Sequence, residues 1–253
     1  MTAIEAAPAL SRRLAWQRAS VREIVVETPR VKTVMLHVPG WRGHRAGQHV
    51  DIRLTGEDGY QAQRSYSIAS APEDHNLVLT VERLEDGEVS PYLVDELRPG
   101  DELELRGPIG GYFVWDQSSG GPLLLIAGGS GVVPFRAMLR HRRAAGGNTA
   151  VRVLYSARSL DEAFYHEEFL SFASDERIRV HWALTRAWPD TWRGHRGRVT
   201  PELLRDVSWP ADERPLIYIC GPTAFVEEIA GQLVDLGHDP SRIRTERFGP
   251  TGS

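Results

Sequence analysis

The feature that most constrains the fold is a change of hydrophobic period near the middle of the chain. Between residues 31 and 106, apolar residues alternate with polar ones, and turn pairs such as Pro39-Gly40 and Asp58-Gly59 separate the runs. A period of two is typical of an antiparallel sheet. After the Ser/Gly-rich stretch 117–122, short apolar runs alternate with helical segments, as in a parallel sheet covered by helices. The sequence therefore predicts two domains, an antiparallel β-barrel followed by an α/β parallel-sheet domain.

The Ser/Gly-rich stretch is the best place for a domain boundary. We expect an N-terminal extension over residues 1–19, the barrel domain over 20–118 and the α/β domain over 119–253. A chain of 253 residues is long enough for two cores. The predicted elements are a short helix at 91–97, strands at 123–127, 151–155, 178–184, 216–220 and 243–248, and helices ending near 143 and spanning 163–173, 201–205 and 223–236.

Composition excludes several classes of function. A net charge of −4 argues against a general nucleic-acid binder. No apolar run approaches the roughly 18 residues of a membrane span, and the first residues do not resemble a secretory signal, so we expect a cytoplasmic location. The single cysteine, Cys220, excludes an intrachain disulfide and an iron–sulfur centre held by these residues. The histidines show no metal-ligand spacing, so no metal is predicted.

The segment Arg64-Ser65-Tyr66-Ser67 is the first of three candidate binding motifs, and it lies in the strand-rich half. Alternation along a strand puts Arg64 and Tyr66 on one face and the two serines on the other. A guanidinium can hold a phosphate while a tyrosine ring covers a flat heterocycle. The alternative is an exposed strand edge of mixed polarity.

The other two motifs are turns that follow apolar runs: Gly128-Gly129-Ser130-Gly131 and Cys220-Gly221-Pro222. Glycine lets a ligand approach bare backbone, and a helix that starts after such a turn directs N–H groups at an anion. Ligands of parallel sheets bind beyond the carboxyl ends of the strands, where both turns lie. A plain tight turn and a small core cysteine are the alternatives. Together the three motifs suggest a flavin site that faces a nicotinamide site.

Two further segments are candidates for phosphate contacts. Thr185-Arg186 follows a predicted strand, and a hydroxyl beside a guanidinium suits the 2′-phosphate of NADP. Arg158 and Arg196 are candidates for the same contact, and a surface arginine is the alternative. The turn from Gly87 to Ser90 could hold a diphosphate through its N–H groups, with simple helix capping by Ser90 as the alternative.

Seven motifs in the same order give the chain its resemblance to the ferredoxin–NADP reductase superfamily, over about residues 20–250. The motifs are Gly47-Gln48-His49, Arg64-Ser65-Tyr66-Ser67, Gly87-x-x-Ser90, Gly107-Pro108-x-Gly110, Gly128-Gly129-Ser130-Gly131-x-x-Pro134, Cys220-Gly221-Pro222 and Glu246-Arg247-Phe248. The resemblance implies that the barrel binds a flavin and the α/β domain binds a nicotinamide nucleotide. The chain departs from the family pattern in two ways, since residues 249–253 follow Phe248 and, with a single cysteine, we expect no fused iron–sulfur module.

The resemblance also implies roles for particular residues. Arg64 would hold the flavin phosphates, Tyr66 would pack on the isoalloxazine and Phe248 would cover its other face. The flavin-binding set is Arg64, Ser65, Tyr66, Ser67, Val81, Arg83, Gly87, Glu88, Val89, Ser90 and Phe248. The nicotinamide-nucleotide set is Gly129, Ser130, Gly131, Arg158, Thr185, Arg186, Gly221 and Pro222. The catalytic set is Ser67, which would lie near flavin N5, with Cys220 and Glu246, which would line the nicotinamide pocket.

The implied function is that of an FAD-dependent NAD(P)H oxidoreductase. It would take a hydride from NADPH or NADH and pass electrons to a separate ferredoxin-like, iron–sulfur or haem protein. The Gly87–Ser90 turn favours FAD over FMN, and Thr185-Arg186 favours NADPH over NADH. Two alternatives are a redox-sensing or regulatory subunit without turnover and a reductase of free flavin or oxygen. The sequence does not indicate an oligomeric state.

Overall fold

The computed structural model describes residues 14–249. Most of the predicted N-terminal extension, and the tail beyond residue 249, therefore lie outside the described residues. The two sheets that it contains are separated along the chain, as the change of period predicts. The first sheet ends at Ile109 and the second begins at Leu123. The predicted limit at residues 118 and 119 falls in the connection between them.

The first sheet is an antiparallel barrel, which confirms the predicted architecture. Its strands are β1 (Gln17–Thr28), β2 (Val31–His37), β3 (His49–Thr55), β4 (Gln61–Ser67), β5 (Leu77–Glu82) and β6 (Glu102–Ile109), in the order β4-β3-β6-β1-β2-β5. A bridge between Ile68 and Leu79, with the hydrogen bond from the Ala69 N–H to the Val78 carbonyl at 2.8 Å, brings the two edge strands together. The alternating apolar side chains Leu36, Ile52 and Leu105 fill the interior, with no exposed surface.

Strand β1 was not predicted, and it begins at Gln17, inside the segment expected to be an extension. Gln17–Ser20 pair with the β6 segment from Leu105 to Glu102, and Ala19 is buried. The pairing of β1 with β2 shifts register between Val21 and Glu23 and again before Thr28. Each shift reverses which residues face the core, so β1 lacks the regular alternation by which a strand is detected in a sequence.

The second sheet is parallel with helices packed against it, which confirms the predicted α/β domain. The strands are β7 (Leu123–Gly128), β8 (Val151–Ala157), β9 (Ile178–Leu184), β10 (His195–Arg196), β11 (Leu216–Pro222) and β12 (Ile243–Phe248), in the order β10-β9-β8-β7-β11-β12. The helices are α1 (Val133–Ala144), α2 (His166–Phe172), α3 (Pro201–Val207) and α4 (Thr223–Asp235). Helix α2 begins after the expected residue 163 because Tyr165 has a left-handed backbone, with φ of 65°. Within residues 14–249 no helix is both long and apolar enough to cross a membrane.

The strand order puts the two predicted turns side by side. From β7 the chain moves outward through β8, β9 and β10, and then returns to place β11 on the other side of β7. The direction of winding therefore reverses between β7 and β11, which is the point where ligands bind in such sheets. The glycine turn follows β7, and the Cys220-Gly221-Pro222 segment ends β11.

The two domains share a hydrophobic core. Val31 of the barrel and Phe113 of the connection belong to the same buried cluster as Met138 of α1 and Tyr218 of β11. The Tyr218 hydroxyl donates a hydrogen bond of 2.7 Å to the carbonyl of Val114, in the connection between the domains. We call this shared cluster the seam between the domains. Because it is a continuous packed core, the barrel and the parallel sheet hold a defined position relative to each other.

A substitution at Gly47 can test how tightly the two domains are packed at this seam. Its φ is +96°, and a Cβ added there would lie 2.2 Å from the Phe113 carbonyl oxygen. Gly43 is a matched control, because its φ is +86° but no atom lies within 4 Å of an added Cβ. We expect Gly43→Ala to lower the free energy of unfolding by about 1–2 kcal/mol, from backbone strain alone. Gly47→Ala should lower it by about 3 kcal/mol or more, since a clash adds to the strain. Urea unfolding measures both, and equal losses would show that the seam can yield.

Candidate functional site

The two turns at the edge of the parallel sheet touch each other, and glycine is what permits the contact. A Cβ on Gly131 would stand 2.0 Å from the carbonyl oxygen of Cys220. A Cβ on Gly221 would stand 3.2 Å from the Cα of Gly128 and 2.9 Å from the ring of Phe225. Any larger residue at Gly131 would push the two strand ends apart. The motifs found separately in the sequence therefore form one site.

A cavity of about 200 Å³ lies over these turns. The rings of Phe164, Phe225 and Phe248 line it together with the bare backbone of the first glycine turn, a combination that suits a flat ring and a phosphate. The sequence-predicted residues that it brings together are Gly129, Ser130, Arg158, Thr185, Pro222 and Phe248. The sequence did not predict four further residues that line the cavity, because isolated acidic and aromatic residues form no recognisable motif. They are Glu82, Glu162, Phe164 and Phe225.

A second cavity, of about 500 Å³, continues from the first past Arg158 and Thr185. Arg186 lines it as expected, and so does Arg198, which the sequence analysis did not single out. Arg158 lies 3.8 Å from the carboxylate of Glu162. Arg196 is absent from the residues that line this cavity, and its guanidinium lies over the Trp188 ring, 5.7 Å from the centroid. The lining of the cavity thus combines three arginines with two hydroxyl-bearing residues, Ser156 and Thr185, and one acidic residue, Glu228.

The three residues predicted to be catalytic come together beside the first cavity. Cys220 and Glu246 are register partners on β11 and β12, and Cys220 Sγ lies 4.0 Å from Glu246 Oε2. The Ser67 hydroxyl, from the barrel, contacts the same carboxyl group. His49 Nδ1 lies 3.7 Å from Glu246 Oε1. His49 was noted only as part of a motif, and pairing of β3 with β4 opposite Ser67 brings it here.

Burial shifts the titration of all three groups in this cluster towards their uncharged forms. Loss of solvent raises the pKa of Glu246 to about 7, while the hydrogen bond from Ser67 opposes that rise. Burial also raises the pKa of the Cys220 thiol, helped by the neighbouring carboxylate. It lowers the pKa of His49. A thiol, a neutral imidazole and a carboxyl group that titrates near neutrality can hold and move a proton without introducing a fixed charge.

The segment Arg64–Ser67 lies at the end of β4 and presents different chemistry on its two faces. The Ser65 hydroxyl donates a hydrogen bond of 2.6 Å to Asp51, which is also paired with Arg106 at 2.8 Å. Ser65 is thus engaged on the outer surface of the barrel. Tyr66 is half-buried against the barrel core, and Arg64 remains exposed on the same face.

Arg64 is held by a carboxylate from the segment that follows β5. It forms an ion pair with Glu88, whose other oxygen accepts a hydrogen bond of 2.5 Å from the Tyr60 hydroxyl. These hydrogen bonds lower the pKa of Glu88, so the carboxylate is ionised. Tyr60 was not a sequence candidate, because a tyrosine beside a Gly-containing turn is common on protein surfaces.

The remaining flavin candidates occupy different environments. The side chains of Val81 and Val89 are buried in the barrel core, so only their backbone groups could meet a ligand. Arg83 is paired with Asp95 at 2.7 Å and with Glu85. Its guanidinium is already neutralised by two carboxylates.

Ser90 and Gly87 form a tight turn rather than a helix cap. The Ser90 hydroxyl accepts a hydrogen bond of 3.1 Å from the Leu84 N–H, and a Cβ on Gly87 would lie 2.7 Å from that hydroxyl. The short helix that follows, Tyr92–Glu96, has no side-chain cap. Ser90 thus fixes the shape of the turn, and the N–H groups that the sequence analysis assigned to a diphosphate stay in a defined loop.

Family models match both halves of the chain. An oxidoreductase FAD-binding domain model matches residues 20–114, and an oxidoreductase NAD-binding domain model matches residues 125–230. The two matches coincide with the barrel and the parallel sheet. They describe an oxidoreductase with one domain for a flavin and one for a nicotinamide nucleotide.

Individual relatives agree with the domain models. The ferredoxin–NADP reductase B of Sorangium cellulosum is 37% identical over 212 residues, which cover 80% of this chain and 84% of the relative. The glycine betaine monooxygenase reductase subunit of Pseudomonas aeruginosa is 32% identical over 210 residues, 82% of this chain but only 57% of the relative's length. The FAD/NAD-binding domain of a nitric oxide dioxygenase from Vibrio cholerae superposes with a TM-score of 0.82 at 27% identity, covering 92% of this chain and 99% of that domain. The chain belongs to the ferredoxin–NADP reductase superfamily, a superfamily of FAD-dependent NAD(P)H reductases.

The raised pKa of Glu246 gives a prediction about stability. The pKa of Glu246 is about 7 in the folded chain and near 4.5 in the unfolded chain. The stabilising contribution of the protonated carboxyl group is therefore complete below pH 4.5 and is lost as the pH rises towards 7. Glu246→Gln keeps the shape but does not ionise. The variant and the parent should be about equally stable at pH 4.5. At pH 8 the variant should be more stable by up to about 3 kcal/mol.

Urea unfolding at the two pH values measures the difference. Glu227→Gln is a suitable control, because Glu227 is an exposed carboxylate paired with Arg247. It should not gain stability between pH 4.5 and pH 8. A constant difference between the Glu246 variant and the parent would contradict the raised pKa.

Proposed function

We propose that this chain transfers a hydride from a nicotinamide nucleotide to FAD and passes the electrons to a separate redox protein. The observation that carries the proposal is the convergence of Ser67, Cys220 and Glu246 from two domains beside the first cavity. FAD supplies the hydride acceptance and the storage of two electrons. The chain supplies position, exclusion of water and control of protons.

The barrel has a place that fits a flavin. Pairing between β4 and β5 is confined to the bridge at Ile68 and Leu79 and the adjoining hydrogen bond, so the strands diverge towards Tyr66 and Val81. In the proposed arrangement the Tyr66 ring covers one face of the isoalloxazine and the Arg64 guanidinium holds phosphate oxygens. The tight turn from Gly87 to Ser90 offers backbone N–H groups to the same phosphates.

The parallel sheet fits the nicotinamide nucleotide. The turn from Gly129 to Gly131 leads into α1, and its N–H groups suit the diphosphate of the nucleotide. Pro222 and Phe248, which line the first cavity, lie two residues beyond Cys220 and Glu246 along their strands. This proximity supports a nicotinamide site that borders the proton-holding cluster. Hydride transfer needs reacting atoms within about 3–3.5 Å, which small residues at the turns permit.

Ser67 and Glu246 are the residues that we assign to proton control. The Ser67 hydroxyl hydrogen-bonds to the Glu246 carboxyl group, and the neutral imidazole of His49, the register partner of Ser67 on β3, lies 3.7 Å from the same carboxyl. A carboxyl group with a pKa of about 7 can both give and accept a proton under physiological conditions. Cys220 adds bulk beside the nicotinamide position without adding charge.

We further propose that NADPH is preferred over NADH. Arg158, Arg186 and Arg198 surround the second cavity together with the Thr185 hydroxyl. Guanidinium groups bind phosphate with charge-assisted hydrogen bonds, so this set suits a 2′-phosphate. The adenosine end of NADH has no such group.

A separate protein is the electron acceptor that we favour. One relative is named as the reductase subunit of a monooxygenase and another as a ferredoxin–NADP reductase. Both names point to a protein that receives electrons. The chain spans 57% of the first relative's length, so the identity of the acceptor is part of the proposal. The cytoplasmic location expected from the sequence stays a prediction.

The central test is an anaerobic visible absorption spectrum before and after addition of NADPH. The proposed function requires a flavin spectrum that bleaches. Cys220→Ala should slow the bleaching by about tenfold or more, because it leaves the nicotinamide loosely placed, while the flavin content stays unchanged. Cys220→Ser, which preserves the size, should retain more of the rate. An unchanged rate in Cys220→Ala would show that Cys220 does not position the nicotinamide. A purified protein that binds no flavin, even when FAD is supplied, would refute the proposed function.

The nucleotide preference has its own test. Arg186→Ala should raise the KM for NADPH by roughly 10- to 100-fold, the effect of losing a hydrogen bond to a charged group, and leave the KM for NADH within about twofold. Arg193→Ala is the matched control, because Arg193 is exposed in the same loop but does not line the cavity. It should change neither KM. A parallel change with both nucleotides would contradict a 2′-phosphate contact.

A further inference from the structure

A row of hydrogen-bonded hydroxyl groups runs from the α/β domain into the barrel and ends on a carboxylate. The hydroxyl of Tyr165, the residue before α2, is hydrogen-bonded to Thr80 of β5. The Thr80 hydroxyl lies 2.8 Å from that of Thr33, its register partner on β2, and Thr33 donates a hydrogen bond of 2.7 Å to Glu27. Each hydroxyl has a single hydrogen to donate. The direction is therefore fixed, because Thr33 can only accept from Thr80 and Thr80 can only accept from Tyr165.

Tyr165 is buried and adopts a backbone conformation that is costly for it. Its φ is 65°, in the left-handed region that residues with a Cβ seldom adopt. The Arg136 guanidinium, from α1, lies over its ring at 4.5 Å from the centroid, and Arg136 is paired with Glu168 at 2.7 Å. Such strain persists where the surrounding contacts over-determine the conformation, and it concentrates at functional sites. The roles proposed above for the cysteine, carboxyl and arginine groups make no use of Tyr165.

The hydrogen bond between Thr80 and Tyr165 joins two walls of the first cavity. Thr80 and Glu82 are two residues apart on β5, so their side chains share a face, and Glu82 lines the cavity. Phe164 also lines the cavity, and its ring meets that of Tyr165 edge to face, with the centroids 4.9 Å apart. One wall thus belongs to the barrel and the other to the α/β domain. Each wall residue is at most two positions along the chain from one partner of the bond.

We infer that Tyr165 and Thr80 are positioning residues for the nicotinamide nucleotide, because the hydrogen bond between them sets the distance between the two cavity walls. The inference rests on the proposed function and deepens it. Thr80 and Tyr165 are absent from the residues that line the cavity, so they act through Glu82 and Phe164. These walls flank the turn at Gly129, which we assign to the diphosphate that NADPH and NADH share. The bond therefore acts on both nucleotides alike, unlike a contact to the 2′-phosphate.

The test follows anaerobic flavin bleaching on the full chain, with its flavin bound, at increasing concentrations of NADPH or NADH. The data give an apparent Kd and a limiting rate for each nucleotide. Tyr165→Phe keeps the ring, and Thr80→Val keeps the shape of the side chain. Each should raise the apparent Kd for both nucleotides by a common factor of about 3 to 10, the effect of one hydrogen bond. The limiting rate should change by less than about twofold, because the proton-holding cluster is not altered.

A double variant separates one shared bond from two independent effects. Because Tyr165→Phe and Thr80→Val break the same hydrogen bond, combining them should raise the apparent Kd no further than the more severe single variant does. Thr80→Ser restores a hydroxyl and should bind both nucleotides nearly as the parent does. A double variant whose factor is the product of the two single factors would overturn the inference.

Tyr155→Phe is the matched control. The Tyr155 ring is buried and lies 6.5 Å from that of Phe164, centroid to centroid, but its hydroxyl has no hydrogen-bond partner in the part of the chain that the structure describes. The control should leave both Kd values unchanged.

Urea unfolding of each variant separates a positioning role from a purely structural one. A Tyr165→Phe variant that is less stable but binds both nucleotides as tightly as the parent would overturn the inference, and so would a loss confined to NADPH. Either result leaves the proposed function intact, since the flavin still bleaches. A parent protein whose flavin neither nucleotide bleaches would overturn the proposed function as well.

Discussion

The site depends on the contact between two strand ends that only glycine allows. A Cβ on Gly131 would lie 2.0 Å from the carbonyl oxygen of Cys220, and Gly221 is similarly close to Gly128. The contact fixes where α1 begins relative to the end of β11. It thereby places the backbone N–H groups of the first turn next to Cys220. Because β12 is in register with β11, Glu246 is placed by the same contact.

The second constraint is the shared core between the domains. Ser67 belongs to the barrel and Glu246 to the parallel sheet, so their contact exists only while the two domains keep their relative position. Phe113, Met138 and Tyr218 supply that rigidity through close packing. The seam thus holds together the site that we propose to be catalytic, although Phe113, Met138 and Tyr218 need not touch a substrate. The two domains also differ in their charged groups, since the Glu246 carboxyl group titrates near pH 7 whereas Arg64 and Glu88 form an ion pair on the barrel.

Much of the fold could be predicted from local patterns. Five of the six strands of the parallel sheet were predicted, because a short continuous apolar run is typical of a strand buried on both faces. The two-residue strand β10 was not predicted, since His195 and Arg196 form no such run. Strand β1 escaped, since its two register shifts remove the alternation that a strand search requires. Helix α2 began later than expected because Tyr165 adopts a left-handed backbone, which its sequence neighbours do not reveal.

The sequence by itself determined the fold class, the order of the domains and the identity of the turns, because periodicity and glycine placement are local properties of the chain. It also supplied the residue types of the proposed catalytic cluster. Only the tertiary structure decided which of them meet and what surrounds them. The neighbours Arg198, Tyr60 and His49 reach their sites through strand pairing and loop closure between distant segments. The pKa of Glu246 is likewise a property of burial, which depends on what packs around the side chain and not on the residues beside it in the sequence.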